Sequence, residues 1–94
     1  MGTEKESVPI MSSKAKRGLW KLMMRLPALR GEIQILANQH ETLHDLCEAY
    51  EEATEMLISI RLSQKIDQNL LNEYVNTCNE IENDIVNYCT TLKD

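Results

Sequence analysis

His40, His44 and Cys47 are the residues of this chain whose types and spacing come nearest to a metal site. Intervals of four and three residues place the three side chains on one face if a single helix runs through them. Imidazole nitrogen and thiolate sulfur are good ligands for zinc and copper. The segment from Asn38 to Glu41 has no apolar residue, however, and we predict a bend there that takes His40 out of the helix. No fourth ligand follows at short spacing, so we predict no metal and no other cofactor.

The sequence also lacks the motifs of common enzyme sites. It has no Gly-rich phosphate-binding loop, no Cys-x-x-Cys pair and no Ser/His/Asp set. Tyr50, Tyr74 and Tyr88 recur at apolar positions of predicted helices, where a tyrosine usually packs its ring and sends its hydroxyl to a partner at the edge of the core. We therefore predict that the protein is not an enzyme.

The segment 14–26 combines cations with large apolar side chains. Its apolar residues fall at helical spacing on one broad face, and five cations lie around them. Segments of this kind lie on anionic membranes or insert into apolar grooves of acidic partners. The candidate partner-binding residues are Lys16, Arg17, Leu19, Trp20, Lys21, Met23, Met24 and Arg25.

Two apolar ladders farther along the chain indicate the elements that must carry this segment. Both step by alternating threes and fours, which keeps one stripe of a helix facing a partner. The first ladder is Leu43, Leu46, Tyr50, Ala53, Leu57 and Ile60, and the second is Leu71, Tyr74, Cys78, Ile81, Ile85 and Tyr88. If the chain folds back between Leu62 and Asp67, the residues of the first ladder face those of the second in reverse order, so that Tyr50 faces Ile81. The sequence thus predicts an antiparallel helical hairpin of about residues 42–62 and 68–92.

Local signals divide the rest of the chain. Thr42 and Asp67 are the predicted N-caps of the two long helices. Pro27 ends or kinks the basic segment, because proline disfavours helix at the preceding residue and lacks a backbone donor. Proline is also tolerated in a first turn, so Pro27 could equally start the next helix. The predicted organisation is a flexible tail (1–13) and one helical domain (14–94), which contains the basic amphipathic segment (14–26), a short helix (28–39) and the hairpin (42–92).

The hairpin needs further cover, because it buries one stripe per helix and small domains are marginal alone. Further apolar residues lie outside the two ladders, at Ile58, Leu62, Leu70, Val75 and Val86. Either the segment 19–36 or a second protomer would pack there. We favour the interpretation that the basic segment completes the core, in the same protomer or across a dimer. The residues predicted to pack on the hairpin are Leu19, Trp20, Leu22, Met23 and Leu29.

Charge is divided unevenly along the chain. Residues 1–30 carry seven Lys or Arg and two acids, whereas residues 31–94 carry three Lys or Arg and thirteen acids. An acidic hairpin repels nucleic acid, so contact with nucleic acid or a membrane is possible only through residues 14–30. Opposite fields attract, and this also favours docking of the basic segment on the hairpin.

The length of the chain and its cysteines limit the classes of protein to which it can belong. A chain of 94 residues is one domain at most. Its three cysteines do not make a disulfide framework, since Cys47 and Cys78 fall on or beside the ladders and Cys89 lies just off them. We expect reduced thiols, a cytoplasmic location and a homo-oligomer.

The stretch 33–92 resembles the YdcH-like family of short bacterial helical hairpins. The corresponding residues are Ile33, Leu36 and Asn38, then Leu43, Leu46 and Tyr50, with Ile60 at the end of that helix, and the run Ile81-Glu82-Asn83-Asp84-Ile85. The chain departs from the family at Gln39-His40-Glu41-Thr42-Leu43, where the family often has proline and an aromatic residue, and the segment 14–26 lies outside its usual length. The resemblance implies a short helix followed by two antiparallel helices, and it implies no activity.

These observations predict an all-α small helical bundle: an antiparallel hairpin with one or two shorter N-terminal helices packed on it. The expected function is that of a non-enzymatic protein–protein interaction module, such as an adaptor, regulator or chaperone, with an unidentified protein partner. The alternative is a surface-binding module in which residues 14–30 anchor to an anionic membrane or to nucleic acid.

Overall fold

The computed structural model describes residues 11–92, without the Leu92 side chain. These residues form four α-helices and one 3₁₀ turn, with no strand among them. The elements are α1 (Ser13–Arg25), the 3₁₀ turn (Pro27–Leu29), α2 (Arg30–Ala37), α3 (Glu41–Leu62) and α4 (Gln68–Leu92). The predicted all-α helical bundle is confirmed.

Helices α3 and α4 pack together and contain the two ladders. Every ladder residue is buried or half-buried, so the alternation of threes and fours identified the core correctly. Asp67 starts α4 as predicted: its Oδ1 accepts a hydrogen bond from the Leu70 backbone N–H at 3.1 Å. The Tyr50 hydroxyl donates to Glu82 Oε2 at 2.7 Å, which agrees with the predicted facing of Tyr50 and Ile81. The other pairs of the register stay predictions.

Helix α1 packs along α3 and runs parallel to it. Ser12 donates to Glu48 at the beginning of α1, and Lys21 donates to Glu55 near its end. The two helices approach most closely at Gly18, where a Cβ atom would lie 1.8 Å from the Cys47 carbonyl oxygen. Only a residue without a side chain fits this crossing.

Pro27 turns the chain back toward the start of α3. The Leu26 backbone leaves the helical region, and Pro27 begins the 3₁₀ turn that leads into α2. Helix α2 contacts the other three helices and buries Ile33. Its C-terminal end is held by His44, whose Nε2 lies 2.7 Å from the Ala37 carbonyl oxygen. The N-terminal elements therefore cluster at one end of the hairpin.

Two sequence predictions about local structure are wrong. Thr42 does not cap α3, which begins at Glu41 with His40 at the cap position and no side-chain hydrogen bond there. The tail does not extend to residue 13, because the Ser12 hydroxyl accepts the Ala15 N–H and caps α1. Cys89 is buried and belongs to the core cluster, although it lies off the ladder. The rest of the predicted tail, residues 1–10, lies outside the described residues.

Candidate functional site: the outer face of helix α1 and the distal groove of the hairpin

Three of the predicted partner-binding cations of the basic segment form ion pairs with acids of the same chain. Arg17 and Lys21 contact Glu51, and Arg25 lies 3.3 Å from Glu82 on α4. These contacts join α1 to both helices of the hairpin. Opposite charges thus dock the segment on its own protein, as the charge division predicts.

Glu51 is the buried centre of this docking surface. Its side chain is 5% exposed, with Oε2 at 2.9 Å from Arg17 Nε and Oε1 at 2.8 Å from Lys21 Nζ. Burial by itself would raise the pKa of the carboxyl group. Hydrogen bonds and charge from Lys21 and Arg17 outweigh burial, and the pKa of Glu51 is lowered from its ordinary 4.5. The carboxylate is therefore ionised wherever α1 is docked at neutral pH.

Acid should release part of the stability that Glu51 provides. Because its pKa is lower in the folded protein, its contribution is fully present above pH 4.5 and is lost as the pH falls through the folded value. We expect the free energy of unfolding to fall below about pH 5. In Glu51→Gln we expect lower stability at neutral pH and a shallower decline in acid. Urea unfolding at a series of pH values, followed by circular dichroism, measures both.

The variants Lys21→Gln and Arg17→Gln provide matched tests of the cause. Each removes one of the groups that lower the pKa of Glu51. Each should therefore also make the free energy of unfolding decline less steeply at low pH. An unchanged decline at low pH in all three variants would show that Glu51 is not responsible for it.

The outer face of α1 does not pack on the hairpin. Leu22 is fully buried, and Leu19, Met23 and Leu29 are half-buried against the core, as predicted. Trp20 is 65% exposed, so it does not pack on the hairpin of its own chain, and its packing across a dimer stays a prediction. The physical reason is the helical period: Trp20 lies on the side of α1 opposite the buried Gly18 and Leu22.

Trp20 instead belongs to an exposed stripe with Lys16 and Met24. The three residues are four apart, and no ion pair within residues 11–92 involves Lys16. Met24 is 69% exposed. Of the eight candidate residues, these three are the ones that are exposed and form no ion pair within residues 11–92.

The predicted ligand candidates His40, His44 and Cys47 have other surroundings. His44 is buried against the Ala37 carbonyl, while His40 precedes α3. Burial raises the pKa of the Cys47 thiol to about 12, which disfavours the thiolate that a metal would bind. Within the described part of the chain, no group of three or more His, Cys, Asp or Glu side chains is placed to hold a metal ion.

The second surface is a groove between α3 and α4 that begins where α1 ends. Arg25 stands at one end of this distal groove and Arg61 lines it farther along. Its apolar residues are Leu57, Val75 and Cys78. Glu82 is the one acid among its lining residues. It already accepts a hydrogen bond from the Tyr50 hydroxyl and forms an ion pair with Arg25.

An apolar strip on α3 borders the distal groove. Ile58 and Leu62 continue the stripe that begins at Glu51 and Glu55, the stripe that α1 covers. Beyond the end of α1 this stripe is bare, with Leu62 79% exposed. Of the two predicted covers, the segment 19–36 does not reach Ile58 and Leu62, because Pro27 directs the chain away from them. Cover by a second protomer stays a prediction.

The sequence held a partial signal for this surface. Ile58, Leu62 and Val75 are apolar residues outside the two ladders, and such a second stripe predicts a further packing partner. Their separation from α1 depends on where α1 begins along α3. The Gly18 crossing sets that position, and no periodicity within one helix records it.

Comparison with known protein families, curated proteins and solved structures finds no match to this chain. The resemblance to YdcH-like hairpins stays a prediction. Among residues 11–92, no helix combines the length and the apolar character needed to cross a bilayer.

Proposed function

We propose that the protein is a non-enzymatic protein–protein interaction module that binds a partner through the distal end of its hairpin. The observation that carries the proposal is the bare half of the α3 stripe. Ile58 and Leu62 are exposed beside a groove that is lined by both polar and apolar side chains, whereas the other half of the same stripe is covered by a helix of the protein itself. An exposed apolar surface at one end of a small protein is typical of a binding site.

The fold suits this role physically. The N-terminal elements α1 and α2 cover one end of the hairpin and stabilise it, so the other end is free to present its side chains. The distal groove lies between two long helices that pack on each other, which provides a preorganised surface and lowers the entropic cost of binding. Adaptors, regulators and chaperones all act through such surfaces.

Affinity purification with three tagged full-length proteins tests the proposal. The wild type, the distal variant Ile58→Glu/Leu62→Glu and the α1 variant Trp20→Ala/Met24→Ala are isolated in parallel from the native host. We expect one protein to be recovered in a fixed ratio with the wild type and the α1 variant, and to be lost with the distal variant. All substituted side chains are exposed, so circular dichroism should show equal folding of the three. Retention of every partner by the distal variant would contradict the proposal.

A second candidate function is binding to an anionic surface through the outer face of α1. The exposure of Trp20 and Met24 beside Lys16 favours it, because aromatic and cationic side chains on one helix face suit the membrane interface. Against it, Arg17, Lys21 and Arg25 are engaged by acids of the same chain. Cosedimentation with phosphatidylserine vesicles should then depend strongly on salt and should be lost in Lys16→Glu/Trp20→Ala. A partner complex that needs Ile58 and does not need Trp20 favours the first function.

A further inference from the structure

We propose that the distal groove accepts an acidic amphipathic helix, which lies in line with α1 and covers the part of α3 that α1 leaves bare. This inference rests on the proposed function and specifies the chemistry of the partner. It starts from the way the protein binds its own helix α1.

The first half of the α3 stripe shows which chemistry α3 uses to bind a helix. There the docking residues are the acids Glu48, Glu51 and Glu55, and α1 meets them with a serine hydroxyl and the cations Arg17 and Lys21. Apolar contact is provided by side chains of α1 such as Leu22. The bound helix is thus amphipathic, and its charge is opposite to that of the surface below it.

The sign of the charge on α3 changes where α1 ends. After Glu55 the next charged residues are Arg61, which lines the distal groove, and Lys65 in the loop. No ion pair within residues 11–92 involves either of these cations. The α4 side of the groove adds Val75, Cys78, Asn79 and Glu82, and Glu82 is already engaged by Tyr50 and Arg25. A helix lying here therefore meets the apolar side chains of Ile58, Leu62 and Val75, with the cations Arg61 and Lys65 at its side.

Charge complementarity selects the occupant. A helix with Leu at i, i+3, i+4 and i+7 can cover Ile58, Leu62 and Val75, and Glu residues on its flanks can pair with Arg61 and Lys65. A basic helix like α1 would place its cations against these two. The chain as a whole has a net charge of −5, so preference for an acidic helix can arise only from local contacts.

Two fluorescein-labelled model peptides of about four turns test the inference. Both have Leu at i, i+3, i+4 and i+7. One has Glu at the flanking positions and the other has Lys. Fluorescence anisotropy measures their binding to the full chain at physiological ionic strength. We expect the Glu peptide to bind about tenfold more tightly than the Lys peptide, and we expect Arg61→Glu/Lys65→Glu to reverse this preference.

The variants separate the possible outcomes. Ile58→Glu/Leu62→Glu should abolish binding of the Glu peptide, and Trp20→Ala/Met24→Ala should leave it unchanged. If both peptides bind tightly and Arg61→Glu/Lys65→Glu does not change their relative affinity, the partner is not an acidic helix. The proposed protein-binding function would still stand. Binding of neither peptide overturns the inference, and retention of the native partner by the Ile58/Leu62 variant overturns the proposed function as well. Self-association of the chain that Ile58→Glu/Leu62→Glu removes would show instead that a second copy occupies the groove.

Discussion

Gly18→Ala should destabilise the protein more than any other single addition of a methyl group to a glycine of the described chain. The new Cβ would lie 1.8 Å from the Cys47 carbonyl oxygen and 2.7 Å from its carbonyl carbon. Both are backbone atoms of α3, so no side-chain rotation relieves the overlap. Helix α1 must move away, and this separates Arg17 and Lys21 from Glu51. We expect a loss of about 3 kcal/mol in the free energy of unfolding, at the upper end for overpacked cores.

Gly31→Ala is the matched control. A Cβ atom at Gly31 has no neighbour within 4 Å, and the residue is exposed within α2. Alanine is about 1 kcal/mol more favourable than glycine inside a helix, so this variant should be more stable than the wild type by up to that amount. Urea unfolding followed by circular dichroism at 222 nm compares the two. If Gly18→Ala is also stabilising, α1 does not cross α3 at this point.

Leu22→Ala should cost far more stability than Trp20→Ala, although tryptophan is the larger side chain. Leu22 is fully buried between α1 and the hairpin, and removing such a leucine costs about 2–5 kcal/mol. Trp20 is mostly exposed, and replacing it should change the free energy of unfolding by less than about 1 kcal/mol.

Fluorescence of the single tryptophan tests the same arrangement without a substitution in the core. Trp20 should emit at the red end of the tryptophan range in the folded protein and should be quenched readily by acrylamide, because water surrounds most of its ring. A blue-shifted, protected Trp20, together with a large cost for Trp20→Ala, would place this side chain in an interface and would favour the predicted oligomer.

Much of the fold follows from local patterns in the sequence. The spacing of Leu43, Tyr50 and Leu57 is enough to assign one face of α3 to the core, because a helix repeats every 3.6 residues whatever surrounds it. Asp67 caps α4 through its own backbone neighbours, and Pro27 interrupts the helix through the covalent geometry of its ring. Each of these features depends on residues close together in the chain, and each was predicted correctly.

The candidate site depends on contacts between distant residues. Gly18 and Gly31 are alike in the sequence, since each is a single glycine in a helical stretch. Only the crossing of α1 over Cys47 makes one of them indispensable and the other replaceable. Trp20 was assigned to the core on its hydrophobicity, but the side of α1 that faces α3 is selected by the close approach at Gly18 and by the two ion pairs of Glu51.

The sequence predicts an antiparallel helical hairpin and favours docking of the basic amphipathic segment on it, because helical periodicity and charge are properties of the chain. The position along α3 at which that segment ends depends on how the helices pack. That end point leaves Ile58 and Leu62 bare and opens the groove beside Arg61. The reason is physical: a periodic stripe specifies which face of a helix is buried, whereas the length of the stripe that is covered depends on the register between two helices, which packing sets.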